Sequence, residues 1–340
     1  MAMGLYGGLV RIGVLMPGGG SLAELHGPLM VAGVFGTLIS LERAVAIGLP
    51  WPFLAPAAAA LGALCLVVGL PTVVGAALLF VSAGVLLAAS LYILAKQPAL
   101  FTLTLAAGAA AALAGNLVWL ITEAPADAAG WWLGFLVCTI AGERLELSRI
   151  LQHGRMAGLG FAAAAATIFL GAAFGIQSAA GSLLMGVGFL GSTFWLLRFD
   201  VAMQTIRTSG RTRFFASAML AGYFWLGMSG LALLAARDAA FSYDIALHTV
   251  LVGFVLSMVF GHALIILPAV TGIKLRYHSG LYLPLLLLHL SVALRVYGGL
   301  VEEPDARMAS GILTVASLLI FAAVLVFASR AAANGNPTDS

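Results

Sequence analysis

The residues with the richest chemistry in this 340-residue sequence are its histidines. Of six, His26, His248, His262 and His289 lie inside apolar runs. A histidine within a bilayer is rare and costly, so it is a functional hypothesis by default. His26 and His248 form a matched pair, each preceded by a leucine and followed by a turn of apolar and small residues. Two imidazoles at one depth on facing helices are what a planar macrocycle with a central iron requires. Small residues must also flank it, and Gly27, Ala32, Gly33, Thr249 and Gly253 meet that need. We therefore expect His26 and His248 to be the axial ligands of one b-type haem. The plainer alternative is that each ring hydrogen-bonds a neighbouring helix. A haem also brings two propionates, for which Arg11 and Arg295 are the expected cationic partners. For Arg295 the competing expectation is extension to the interface, towards Glu302 or Glu303.

A second set comprises His262, His289, Glu42 and Glu143. On a regular helix, the fourteen residues from His248 to His262 give about 21 Å of rise and about 40° of rotation. His289, ten residues into the next antiparallel run, is expected at similar depth. Such a set suits copper, iron or zinc, a second haem, or a proton path. The alternative is a structural network pairing Glu42 and Glu143 with Arg43, Arg144 or Arg149. Adjacent residues do not face each other on a helix, so those pairs must cross between helices. His153 and His278 fall in loops beside arginines and are expected to be solvated.

The elements that must position these residues are membrane helices. Hydrophobic residues make up 62% of the chain and charged residues 9%, with a mean hydropathy of +1.09. Soluble domains carry about 25% charge, so an all-α polytopic membrane protein in a lipid bilayer is expected. The net charge of +3 is small and spread over short loops, which argues against a nucleic-acid partner. Runs long enough to span fall near 21–44, 51–70, 72–95, 98–122, 128–150, 156–176, 178–203, 213–236, 241–270, 279–300 and 306–330. Residues 1–16 are apolar but short, and read as the outer half of a twelfth helix. Residues 331–340 read as a polar, disordered cytoplasmic tail.

Arg43, Lys96, Arg149, Arg207, Lys274 and Arg330 mark alternate ends as cytoplasmic. Glu123, Asp127, Asp238, Asp244 and Glu302 mark the opposite ends, which puts His26 and His248 outside. No cleavable secretory signal is evident. Cys65 and Cys138 sit in separate spans as small apolar residues. Trp51, Trp131 and Trp132 read as interface anchors.

The stretches Gly33–Glu42, Gly134–Glu143 and Gly253–His262 share a nine-residue glycine-to-polar spacing. They imply three four-helix units, about 1–122, 123–236 and 237–330, in a pseudo-threefold arrangement within one transmembrane domain. Phosphate-binding loops, nucleophile elbows, HExxH and dinucleotide fingerprints are all missing from the sequence.

Leu9-Val-Arg11, Pro17-Gly18 and His26-Gly-Pro-Leu-Met-Val resemble the end of helix I, the loop and the start of helix II in the haem-copper oxidase subunit I superfamily. Ala246-Leu-His248-Thr-Val-Leu-Val is similar to that family's helix X. The resemblance implies a low-spin haem on His26 and His248, beside Arg11 and Arg295. It covers about 40 residues as motif and most of the chain as architecture.

The departures matter as much. Ala246 stands where the family's high-spin haem ligand would be, and the spans at 128–150 and 156–176 hold no histidine for a copper site. The binuclear centre is therefore not expected. The NnrS-type haem membrane proteins, linked to nitric-oxide stress, resemble the chain in size and outer histidines, without its Leu-Glu-Arg-Ala motif. The expected role is electron transfer or nitric-oxide and redox stress response in a bacterial inner membrane, with a quinol or cytochrome partner. The competing class is a transporter or channel using intramembrane Glu and His.

Overall fold

The computed structural model describes residues 1–17, 20–151, 154–236 and 239–334; His153, Asp238, Gly18 and residues 335–340 lie outside them. Every regular element among the described residues is helical. The short helix α1 (Ala2–Arg11) is followed by α2 (His26–Ile47), α3 (Trp51–Val67), α4 (Thr72–Lys96), α5 (Leu100–Thr122) and α6 (Pro125–Leu147). The chain continues through α7 (Arg155–Phe174), α8 (Ala179–Phe199), α9 (Gly210–Ala235), α10 (Ser242–Thr271), α11 (Ser279–Leu300) and α12 (Pro304–Asn334). Nine described helices, α2, α4, α5 and α7 to α12, are long and apolar enough to cross a membrane. The chain is thus an all-α, multi-pass membrane protein.

Each expected run is a helix, with three corrections to its bounds. The run at 51–70 stops at Val67, because Gly69 adopts φ +79° and Pro71 follows. The run at 21–44 breaks at Leu25, and α2 begins at His26 with Pro28 in its first turn, where a missing N–H costs nothing. The final helix continues through residues 331–334, expected as disordered tail.

Successive helices pack as antiparallel neighbours, and α12 lies against both α11 and α1. Small residues set the spacing: a Cβ on Gly62 of α3 would lie 2.9 Å from the Gly75 carbonyl of α4. Of the three helices with the repeated motif, α6 and α10 run through the interior and α2 is less enclosed. α6 is buried from Ala128 to Leu145 except at Trp131 and Glu143, and α10 packs against both α6 and α2. Outward, Ile121, Phe194 and Leu319 present apolar side chains, as a lipid-facing surface requires.

α2 and α10 share a further feature. Each turns π-helical just past its histidine, at Leu29–Phe35 and Thr249–Leu256, then returns to α-helix and ends on a left-handed glycine, Gly48 or Gly272. The looser i→i+5 winding is rare and concentrates at functional sites. Its slower winding also adds to the rotation expected between His248 and His262, a figure that assumes unbroken α-helix.

Candidate functional site

One cavity of about 770 Å³ lies at the end of the bundle where α2, α6, α10 and α12 begin and α1, α5 and α11 finish. His26 and His248 both line it, together with Gly8, Gly27, Trp132, Tyr243, Asp244, Arg11, Arg295 and Arg307. Its walls are otherwise apolar, from Leu5, Met30, Val31, Leu133, Leu251 and Val252. Glu24 and Glu123 complete its charged rim.

Each histidine is held by its helix environment. His26 Nδ1 lies 2.6 Å from the Gly4 carbonyl of α1, and a Cβ on Gly8 would sit 2.7 Å from the ring. Only glycine at that position lets α1 close over the imidazole. His248 Nδ1 lies 2.8 Å from the Asp244 carbonyl one turn earlier and 3.2 Å from its carboxylate Oδ1. All three partners are acceptors, so both rings donate from Nδ1 and keep the lone pair on Nε2. That tautomer is the one in which Nε2 can ligate a metal.

Arg295 reaches neither Glu302 nor Glu303. It forms a two-pronged ion pair with Asp244, Nε to Oδ2 at 2.8 Å and Nη2 to Oδ1 at 2.7 Å, and Nη2 also lies 3.4 Å from His248 Nε2. Arg307 approaches Asp244 Oδ2 at 3.7 Å and packs its guanidinium 3.7 Å from the centre of the Phe241 ring. Arg11 borders the cavity from an exposed position on α1. Trp132 is not an interface anchor: it is buried in the cavity wall, donating from Nε1 to Asn116 Oδ1 at 2.9 Å, and Asn116 donates to the Leu79 carbonyl at 2.8 Å. Asp244, Arg307 and Trp132 were not legible as site residues. The one available signal was the four-residue spacing of Asp244 and His248, which puts both on one helix face.

The second expected set does not assemble. His262 donates from Nδ1 to its own helix, at the Met258 carbonyl (2.8 Å), and packs edge-on against Phe215. His289 accepts at Nδ1 from Trp225 Nε1 at 2.9 Å. Phe215 and Trp225 are ten residues apart on α9, about 15 Å, so the two imidazoles sit at different depths. Glu42 and Glu143 do lie within electrostatic reach of each other, beside Arg43 and Arg144. Among the described residues, no group of three or more His, Cys, Asp or Glu side chains is arranged to hold a metal ion.

Arg144 pairs with a partner the sequence did not suggest. It crosses from α6 to Asp200, Nε to Oδ2 at 2.7 Å and Nη2 to Oδ1 at 2.9 Å, with both side chains fully buried. His278 is exposed in its loop as expected, and Cys65 and Cys138 are free thiols.

The fold and cavity define a multi-pass helical membrane protein with a two-histidine, arginine-rimmed chamber at one end of the bundle. The chain belongs to the family described as Domain of unknown function (DUF8744), whose model matches residues 1–330. No curated protein matches it.

Proposed function

We propose that this protein holds one b-type haem between His26 and His248 and serves electron transfer or a nitric-oxide or redox stress response. In this reading it sits in a bacterial inner membrane with its C-terminus cytoplasmic, and exchanges electrons with a quinol or a cytochrome. One observation carries the proposal: both histidines line a single cavity, each with Nδ1 committed to a carbonyl and its lone pair on Nε2. The volume of about 770 Å³ falls within the range of cofactor sites, roughly 300–1,000 Å³. The apolar walls suit a macrocycle, and the arginines at the rim suit its carboxylates. The likeness of the chain's motifs to haem-copper oxidase subunit I and to NnrS-type proteins belongs to the same reading.

When bound, a haem supplies a one-electron couple whose potential follows from its ligands and surroundings. The chain's own residues do the rest. Gly4 and Asp244 orient the imidazoles, the apolar walls exclude water, and Arg11, Arg295 and Arg307 would compensate the propionates. Arg295 would also release His248 Nε2, which it touches in this structure.

The test is a pyridine-haemochrome assay with metal analysis on purified wild type and on His26→Ala, His248→Ala and His262→Ala. The wild type and His262→Ala are expected to show a low-spin α-band, which either cavity substitution abolishes. A colourless wild type would refute the proposal. It would favour a carrier, for which the closeness of Glu42 and Glu143 in the interior is the supporting observation.

A further inference from the structure

We infer that Asp244 is a positioning residue that ties His248 to Arg295 and thereby sets both the imidazole's orientation and the reduction potential of the iron it holds. The inference rests on the haem reading and deepens it. Asp244 lies in the first turn of α10, one turn before His248, so its carboxylate falls on the face that carries the imidazole.

The contacts form a compact set, with Arg307 Nη2 a further cation 3.7 Å from Asp244 Oδ2. Oδ1 lies 3.2 Å from His248 Nδ1 and accepts from Arg295 Nη2 at 2.7 Å, while Oδ2 accepts from Arg295 Nε at 2.8 Å. The same residue's backbone carbonyl receives His248 Nδ1 at 2.8 Å. Asp244 therefore holds the ligand through two groups and holds the neighbouring arginine in a fixed fork. His26 has no equivalent among the described residues, where its Nδ1 meets the Gly4 carbonyl. The two proposed axial ligands are thus inequivalent, and the carboxylate side is the more strongly donating one.

Two consequences follow from charge. A carboxylate close to a ligating imidazole stabilises the more positive, oxidised iron, so its removal moves the midpoint potential upward. Removing Arg295 deletes a nearby cation and moves it downward. These opposite signs separate an electrostatic and orienting role from a merely structural one, because loosening the site and admitting water would move both variants the same way.

The experiment is a redox titration of the purified, haem-loaded protein, with low-temperature electron paramagnetic resonance of the oxidised form. The samples are wild type, Asp244→Asn, Asp244→Glu and Arg295→Gln. Asp244→Asn is expected to raise the midpoint and change the g-value spread of the low-spin signal, Arg295→Gln to lower the midpoint, and Asp244→Glu to restore most of the wild-type behaviour. Should Asp244→Asn not accumulate, the Asp244→Glu and Arg295→Gln pair still decides. A wild-type midpoint and g-values in Arg295→Gln, or shifts of one sign in every variant, would overturn the inference while the haem stands. A wild type without haem overturns the underlying reading as well.

Discussion

The buried Arg144–Asp200 pair gives the sharpest prediction about the interior, and it is independent of any cofactor. Both side chains are inaccessible, joined by two hydrogen bonds of 2.7 and 2.9 Å, and Asp200 Oδ1 also accepts the Ala202 N–H at 2.6 Å. Asp200→Asn keeps the shape and the Ala202 contact but strips the countercharge from a guanidinium enclosed by Phe215 and α6. Breaking one side of a buried pair costs about 3–5 kcal/mol, because the remaining charge stays uncompensated out of water. Arg144→Met with Asp200→Asn removes that charge too, and its cost should fall to roughly 1–2 kcal/mol, the penalty for an imperfectly satisfied polar group. Reversible unfolding in mixed detergent micelles measures both variants against wild type. The double variant is expected to be more stable than Asp200→Asn alone. If Asp200→Asn stays within about 1 kcal/mol of wild type, or the double variant is the least stable, the pair does not hold α6 to the end of α8.

Other expectations follow from particular contacts. Gly8→Val places atoms against the His26 ring, where a Cβ alone comes within 2.7 Å, so haem content after reconstitution should fall as far as in His26→Ala. Asn116→Leu removes the acceptor of Trp132 Nε1 and should cost about 1–3 kcal/mol in the same unfolding assay. Gly253→Leu meets Trp225, whose side chain lies 2.5 Å from where a Cβ would stand, and should break the Trp225–His289 hydrogen bond, read as a shift in tryptophan emission. A reporter fused after Arg330 should report the cytoplasmic side, and a periplasmic signal would reverse the orientation drawn from the loop cations.

Much of the fold was readable because a bilayer imposes a length and an apolar composition on each crossing, and the eleven runs mark them. The meeting of His26 and His248 at one cavity was readable too, since both lie near the starts of parallel helices in matching sequence surroundings. What escaped depends on side-chain direction. Asp244 looks like an ordinary loop anion until its helix is seen to start before it. Trp132 looks like an anchor until Asn116, sixteen residues earlier, turns out to face it. Arg144 finds Asp200 rather than a glutamate, because the end of α8 reaches the inner part of α6. The His262 and His289 pairing failed for two reasons: the π-helical stretch rotates the lower part of α10, and His289 is already engaged by Trp225.

The widened turns beneath the two cavity histidines give these helices an unusual tolerance of length. Each residue of an ordinary helix advances about 100° around the axis. Losing one residue from 29–35 or 249–256 would let the segment tighten into standard winding, and that tightening largely makes up the angle the lost residue had contributed. Glu42 or His262 would then keep nearly the same direction relative to the histidine above. In this molecule, therefore, a one-residue deletion in either stretch would be absorbed by local rewinding, whereas the same deletion in the regular winding beyond it would turn the buried charges away from their neighbours.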